Sequence, residues 1–481
     1  MATDPMRLLR RTATAAALLV LAACAASPPK PPASAPGGVT LPPYRMVTLA
    51  NGARLILMEK HDVPMISFSA RIAGGAVADP AGRAGTAAVL AELLQKGAGR
   101  RDAAQFASAV DSVGGELSVA ADQEAIDVAG NFLSRDTGLM VGLLADMLER
   151  PRLGKEEFDK VRGRYIQSLK AAKDADPRSL LDVYGDACFF GDHPYGRPLT
   201  GDETSLAALQ YADVLAYYRN QVGADRLILS VVGDFDTSAM LGRLREALAG
   251  WRRAAQTAPR VPVPQRRAGR RVLLVDKPGA TQTYFWIGNL GVARDDPRRV
   301  AIDLANTVFG GRFTSLLNTA LRIKSGLTYG ARSSLERLRH PGTLSIQSYT
   351  RTETTVTAID KALAVLANFR AQGMDADTLA SAKAYVLGQF PLRLETDGQI
   401  AARLAELAFY GLGRQEVDGY ASAVEATGLD DIRAVARDVY PDPDNLTFVL
   451  IGNAAAIRGQ IGKYGPVTEM SITDPRFRPG S

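Results

Sequence analysis

Apolar residues recur along this chain in two rhythms. In "DTGLMVGLLADMLERP" (residues 136–151), Leu139, Met140, Leu143, Leu144, Met147 and Leu148 fall at helical spacing, and Pro151 marks the stop. The stretch "ETTVTAIDKALAVLANFRAQG" (residues 353–373) predicts a second long helix of the same kind. A third, shorter apolar helix is expected in "GTAAVLAELLQKG" (residues 85–97), after a small-residue lead-in. Between the helical stretches the pattern changes to strands. "GGELSVAADQEAIDVAGNFL" reads as a hairpin led by glycine, and "LILMEK", "LILSVVGDFD", "VLLVDK" and "LTFVLIGNAA" read as apolar strands.

The strands reveal a repeat. "LILMEK" (residues 55–60) and "VLLVDK" (residues 272–277) both end in an acidic residue and a lysine, 217 residues apart. The glycines of "LILSVVGDFD" and "LTFVLIGNAA", Gly233 and Gly452, are 219 residues apart. Two landmarks with nearly one offset imply a duplicated unit of about 215 residues. Residues 251–269, "WRRAAQTAPRVPVPQRRAG", hold three prolines and no apolar period, as a linker would. The predicted architecture is therefore α+β: two tandem homologous domains, each an antiparallel sheet packed with helices. Their expected bounds are residues 44–250 and 271–465, with a linker at 251–270 and a tail at 466–481.

Composition changes the picture mainly at the N-terminus. The net charge of +6 is spread over interleaved acidic and basic residues, with no basic tract alternating with aromatics, so no nucleic-acid partner is expected. Residues 1–23 combine a basic start (Arg7, Arg10, Arg11) with an apolar run too short to span a bilayer, and read as a signal peptide. The run ends in Leu21-Ala22-Ala23-Cys24, which resembles a bacterial lipobox, so Cys24 is the expected lipidation site. Ordinary cleavage at Ala23-Cys24-Ala25 is the alternative. Ala25 after the cysteine leans towards the outer membrane, which places the chain in the cell envelope, lipid-anchored and facing the periplasm. Residues 24–43 follow as a Pro-rich tether, with five prolines between Ser27 and Pro36. The second cysteine, Cys188, lies in apolar "ACFFG" and reads as a small core residue. A dyad of Cys188 with His193 would need a basic neighbour to activate the thiol.

Four further stretches carry a family likeness: "NGARLIL" (51–57), "LLADMLERPRLGKEEFDKVR" (143–162), "HPYGRPLTGDETSL" (193–206) and "VFGGRFTSLLNTALRIKSGLTYGARSSLE" (308–336). Together they resemble the insulinase/pitrilysin-type zinc peptidases, the inverzincins, over residues 44 to about 465. The resemblance implies a zinc helix with His-x-x-Glu-His, in which two histidines one turn apart reach one ion and the glutamate acts as general base. A third ligand comes from a later helix. Aligned on Gly85-Thr86, Ala88 takes the first histidine position, Ala91 the base and Glu92 the second histidine, and the third ligand falls near Leu169. No metal ligand set and no cofactor is therefore expected in this chain. Its three histidines, His61, His193 and His340, are scattered; His193 belongs to a turn, and the other two sit in polar loops.

The same resemblance implies a second half-site, an Arg/Tyr pair that contacts substrate. In "LRIKSGLTYG" it matches Arg322 and Tyr329, at the end of a helix stopped by Gly326 and near the start of a strand. Such a pair suits hydrogen bonding to a peptide carbonyl; an arginine complementing a helix dipole and a packing tyrosine are the plainer alternatives. Ser325 departs from the charged residue that relatives often carry. Gly310 and Gly311 allow close backbone approach, and Thr314 or Ser315 is placed to cap a helix. The implied function is the zinc-less, Arg/Tyr-bearing subunit of a heterodimeric metallopeptidase, with zinc in a homologous partner and a peptide or small protein as substrate. The alternative is a non-proteolytic envelope scaffold or peptide-binding protein of the same fold, as in relatives that serve as core subunits of a respiratory complex. A self-sufficient zinc peptidase with a displaced site is a third reading.

Overall fold

Each repeat builds one six-stranded sheet, and the two sheets share a strand order over five strands, the sixth being an N-terminal edge strand in the first and a C-terminal one in the second. In a computed structural model describing residues 38–479, the first contains β1 (Arg45–Thr48), β2 (Arg54–Glu59), β3 (Met65–Ala73), β4 (Glu116–Ala121), β5 (Ala125–Leu133) and β6 (Leu227–Gly233). The second contains β7 (Arg271–Asp276), β8 (Gln282–Leu290), β9 (Ala331–Arg337), β10 (Pro341–Arg351), β11 (Thr447–Gly452) and β12 (Val467–Ser471). The orders are β1-β2-β6-β3-β5-β4 and β12-β7-β11-β8-β10-β9. The signal peptide, Cys24 and most of the tether lie outside the described residues.

The repeat landmarks turn out to be strand partners. β2 pairs with β6 so that Glu59 faces Gly233, and β7 pairs with β11 so that Asp276 faces Gly452. The lysine after each acid then donates its backbone N–H to the glycine carbonyl, Lys60 to Gly233 and Lys277 to Gly452, both at 2.8 Å. These two pairs are parallel, because β6 and β11 each return to the sheet after a long helical excursion. The sheets are otherwise antiparallel except where β12 lies parallel to β7. Residues after 465, expected as a tail, thus supply an edge strand of the second sheet. They also bring Phe477 edge-on to Tyr184 of the first half, ring centroids 4.9 Å apart.

β6 and β11 are buried along their whole length, as strands covered on both faces are. One cover comes from the opposite half. The helix Asp397–Tyr410 packs on β3 and β6, where Ile400, Leu404 and Leu407 join Ile56, Met58, Ile228 and Val232 in one core. Reciprocally, the helix Leu181–Phe190 packs on β8 and β11 and meets Trp286, Val449 and Ile451. The halves are thereby interlocked, and residues 38–479 form one compact unit. Residues 251–270 contain no helix or strand. They are nevertheless tied down, with Pro262 accepting a bond from the His193 ring at 2.9 Å and Arg267 donating to the Phe189 carbonyl at 2.7 Å. No helix among the described residues is long and apolar enough to cross a membrane.

Candidate functional site

The helix expected at "GTAAVLAELL" runs Thr86–Leu94. Gly85 precedes it in the left-handed region (φ 94°), and a side chain there would meet the Thr200 carbonyl at 2.9 Å. The exposed amides of its first turn are capped from a distance: the buried Asp79 carboxylate accepts from the Gly85 and Ala87 N–H groups, both at 2.8 Å. Ala88, Ala91 and Glu92 line a cavity of 380 Å³ together with Tyr165 and Thr200. Tyr165 lies on the long helix Lys155–Ala175 and donates its hydroxyl to the Ala88 carbonyl at 3.3 Å. Burial pushes this phenol up to about 12, so it stays a donor.

This cavity does not fit a zinc ion. Two of its key positions are methyl groups, and Leu169 is buried in the first-half core instead of lining the cavity. Glu92 is already engaged, paired with Arg164 and 3.7 Å from Lys96. Among the described residues no group of three or more His, Cys, Asp or Glu is arranged to hold a metal. His61 sits between Asp234 (2.6 Å) and Glu59 (3.0 Å), whose carboxylates raise its pKa. His193 braces the 193–196 turn through the Tyr195 N–H and the Pro262 carbonyl. His340 lies in the loop before β10, its backbone N–H donating to the Tyr195 hydroxyl at 3.2 Å. Cys188 packs against the core, and burial pushes its thiol up to about 11 despite the charges of Arg271 and Arg267.

The Arg322 corner lies elsewhere, in an open cleft of 770 Å³ between the two halves. Its helix breaks into a short turn, Leu316–Asn318, and a π-helical segment, Thr319–Ile323, that holds Arg322. Ser315 caps the start by accepting from the Asn318 N–H at 3.3 Å. At the end, Gly326 (φ 59°) donates to the Arg322 carbonyl and Leu327 to the Leu321 carbonyl, a paired stop one residue wider than a Schellman motif, as the π-helical turn requires. Buried Asn318 then fixes the corner from both sides, donating to the Phe313 carbonyl (2.7 Å) and accepting from the Ala331 N–H (3.2 Å). Ser325, the departure from the family pattern, donates to the Ala320 carbonyl within the same turn. Gly310 and Gly311 line the cleft, and a side chain on Gly310 would fall 2.3 Å from the Ser333 nitrogen.

The Arg322 guanidinium lies 4.7 Å over the Phe313 ring and has no carboxylate partner among the described residues. Tyr329 precedes β9 by two residues and is 78% exposed at the cleft's edge, next to the lining residue Gly330. The structure thus puts Arg322 in the cleft and leaves Tyr329 projecting into solvent beside it. Sequence reasoning missed other lining residues, among them Arg178, Asp182, Arg312, Tyr349 and Tyr385. They come from separate elements of both halves and carry no local spacing signal.

Two family models match consecutive stretches of the chain, the second beginning inside the first half. "Insulinase (Peptidase family M16)" covers residues 55–203, and "Peptidase M16 inactive domain" covers residues 208–386. The chain belongs to the M16 peptidase family. An uncharacterized zinc protease of Streptomyces coelicolor is 26% identical, the match covering 82% of this chain and 87% of that one. A non-peptidase homolog, YmxG of Helicobacter pylori, is 23% identical over 83% of this chain and 91% of its own length. Among solved structures, an M16 inactive domain from Pseudomonas fluorescens superposes with a TM-score of 0.80 at 21% identity, covering 85% of this chain and 98% of that one. The inactive-domain model, the non-peptidase relative and the cavity lined by Ala88, Ala91 and Glu92 support an inactive M16 member, although the Streptomyces relative is described as a zinc protease.

Proposed function

We propose that this chain is the non-zinc-binding subunit of a two-chain M16 peptidase and completes the peptide-binding cleft of a zinc-bearing homologous partner. One observation carries the reading: Arg322 is held in an open cleft without a carboxylate to neutralise it, while the zinc helix of the same chain has lost its ligands. A scaffold has no use for an uncompensated guanidinium there. Phe313, Ile323 and Tyr329 stand 61%, 55% and 78% exposed around it, apolar surface that a covering polypeptide would bury. In the assembled cleft Arg322 and Tyr329 act as hydrogen-bond donors to a peptide carbonyl, and the partner supplies zinc and general base. Lipidation at Cys24 tethers the subunit in the envelope.

The test is co-expression with a zinc-bearing M16 homologue from the same genome and a peptide cleavage assay. The pair is expected to cleave where the zinc subunit alone does not. Arg322→Ala and Tyr329→Phe should each lower kcat/KM about 100-fold without preventing assembly. A pair no faster than the zinc subunit alone sinks the reading, and full activity in both variants sinks the assigned roles. A stable complex that binds peptides and never cleaves them supports the scaffold alternative, which the non-peptidase description of the Helicobacter relative favours.

A further inference from the structure

The cleft around Arg322 holds more positive charge than a single carbonyl-binding pair needs. Arg178, Arg312, Arg322 and Arg332 line it, against two carboxylates, Asp176 and Asp182. Asp182 is taken up by the Gln347 amide and lies 3.7 Å from Arg332. The other three guanidinium groups are seated on aromatic rings. Arg178 lies 4.8 Å over Tyr349, Arg312 6.0 Å over Tyr385 and Arg322 4.7 Å over Phe313. An aromatic face holds a guanidinium through its quadrupole, so the group is positioned but its charge is not cancelled and its N–H edge stays open. Arg178 and Arg322 have no acceptor among the described residues. Arg312 reaches only the Ser381 hydroxyl, at 3.0 Å, and its buried Nε has no partner among those residues. Because Arg178 comes from the first half and Tyr349 from the second, the array spans the cleft.

We propose that this cleft selects acidic peptides, whose carboxylate side chains take the open edges of the stacked Arg178 and Arg312 guanidinium groups. The proposal rests on the reading above that a peptide occupies the cleft. Planar guanidinium edges match carboxylates through two parallel hydrogen bonds. Asp176 and Asp182 in the same lining oppose a continuous polyanion and suit a peptide with interspersed acidic residues.

Binding is measured by fluorescence anisotropy on the full purified chain, with one short labelled peptide in three versions carrying Glu, Gln or Lys at two positions. At low salt the Glu peptide should bind at least about tenfold tighter than the Lys peptide, and the gap should shrink as salt screens the charges. Arg178→Gln with Arg312→Gln should abolish the preference of the Glu over the Lys peptide, with an unchanged circular dichroism spectrum and thermal midpoint showing that the variant is folded. Equal affinities, tighter binding of the Lys peptide, tighter binding of a single-stranded oligonucleotide, or no binding of the Glu peptide overturns the proposal. Cleavage of Glu and Lys peptides at equal rates by the two-chain complex also overturns it and leaves the two-chain reading standing. A Glu preference in binding without any cleavage upholds the selectivity while the two-chain reading falls.

Discussion

Glu92 shows how a vanished site is reused by its neighbours. It stands where the family resemblance places a second histidine, and its side chain is 17% exposed between Arg164 and Lys96. The Arg164 side chain is 55% exposed, so solvent screens most of the attraction. Glu92→Ala should therefore cost only about 0.5–1 kcal/mol in urea unfolding, with the difference shrinking at high salt. A larger, salt-independent loss would mean that the carboxylate has a packing role the ion pair does not explain. That a motif is missing was plain from residue identity. Which cations hold Glu92 was not, because Arg164 is 72 residues away in sequence.

At the scale of elements, helix and strand periods predicted what forms, and close contacts decided how the pieces seat. Gly185 lies in the helix Leu181–Phe190, and a Cβ there would fall 2.7 Å from the fully buried Trp286 ring of the other half. Gly185→Val should cost about 2–3 kcal/mol by overpacking, read as a lower thermal midpoint. Gly142, in the helix Thr137–Glu149, has nothing within 4 Å of its would-be Cβ. Gly142→Ala should stabilise by about 0.5–1 kcal/mol, since only helix propensity changes. If both substitutions behave alike, the seating of the exchanged helix on Trp286 is not what Gly185 serves.

For the whole molecule, the seam between halves gathers carboxyl groups. Besides burial, Glu336 on β9 and Asp182 raise the pKa of Asp186 on the exchanged helix, while Asp182, Glu124 and Asp122 raise that of Glu336, and Arg332 beside Asp182 opposes the negative field. Burial is the larger cause, pushing Glu336 up to about 7 and Asp186 well above the usual carboxylate range. The folded state thus holds protons that the unfolded chain has already released, so the stability these two groups contribute is full only below the ordinary carboxylate range, about pH 4, and is lost as pH rises from there through 7. Urea midpoints should be higher at about pH 5.5 than at about pH 8, by on the order of 2 kcal/mol in stability. Glu336→Gln should flatten that dependence, and an unchanged slope would remove the seam as its source.

The sequence by itself determined the duplication, the α+β class, the most periodic of the strands and helices, and, through the family resemblance, the missing ligands at Ala88, Ala91, Glu92 and Leu169. The duplication, the class and the elements follow from residue identity and from periods of two and 3.6, which act over a few neighbours, and the missing ligands from the family resemblance aligned on Gly85-Thr86. Only the tertiary structure decided that the halves exchange helices, that the expected tail is β12, and that Arg178, Arg312, Tyr349 and Tyr385 meet around Arg322. A hydrophobic period states which face of an element is buried but not what covers it. The cover of β6 is a helix more than 160 residues later in the chain, and its choice depends on shape and packing across the whole fold.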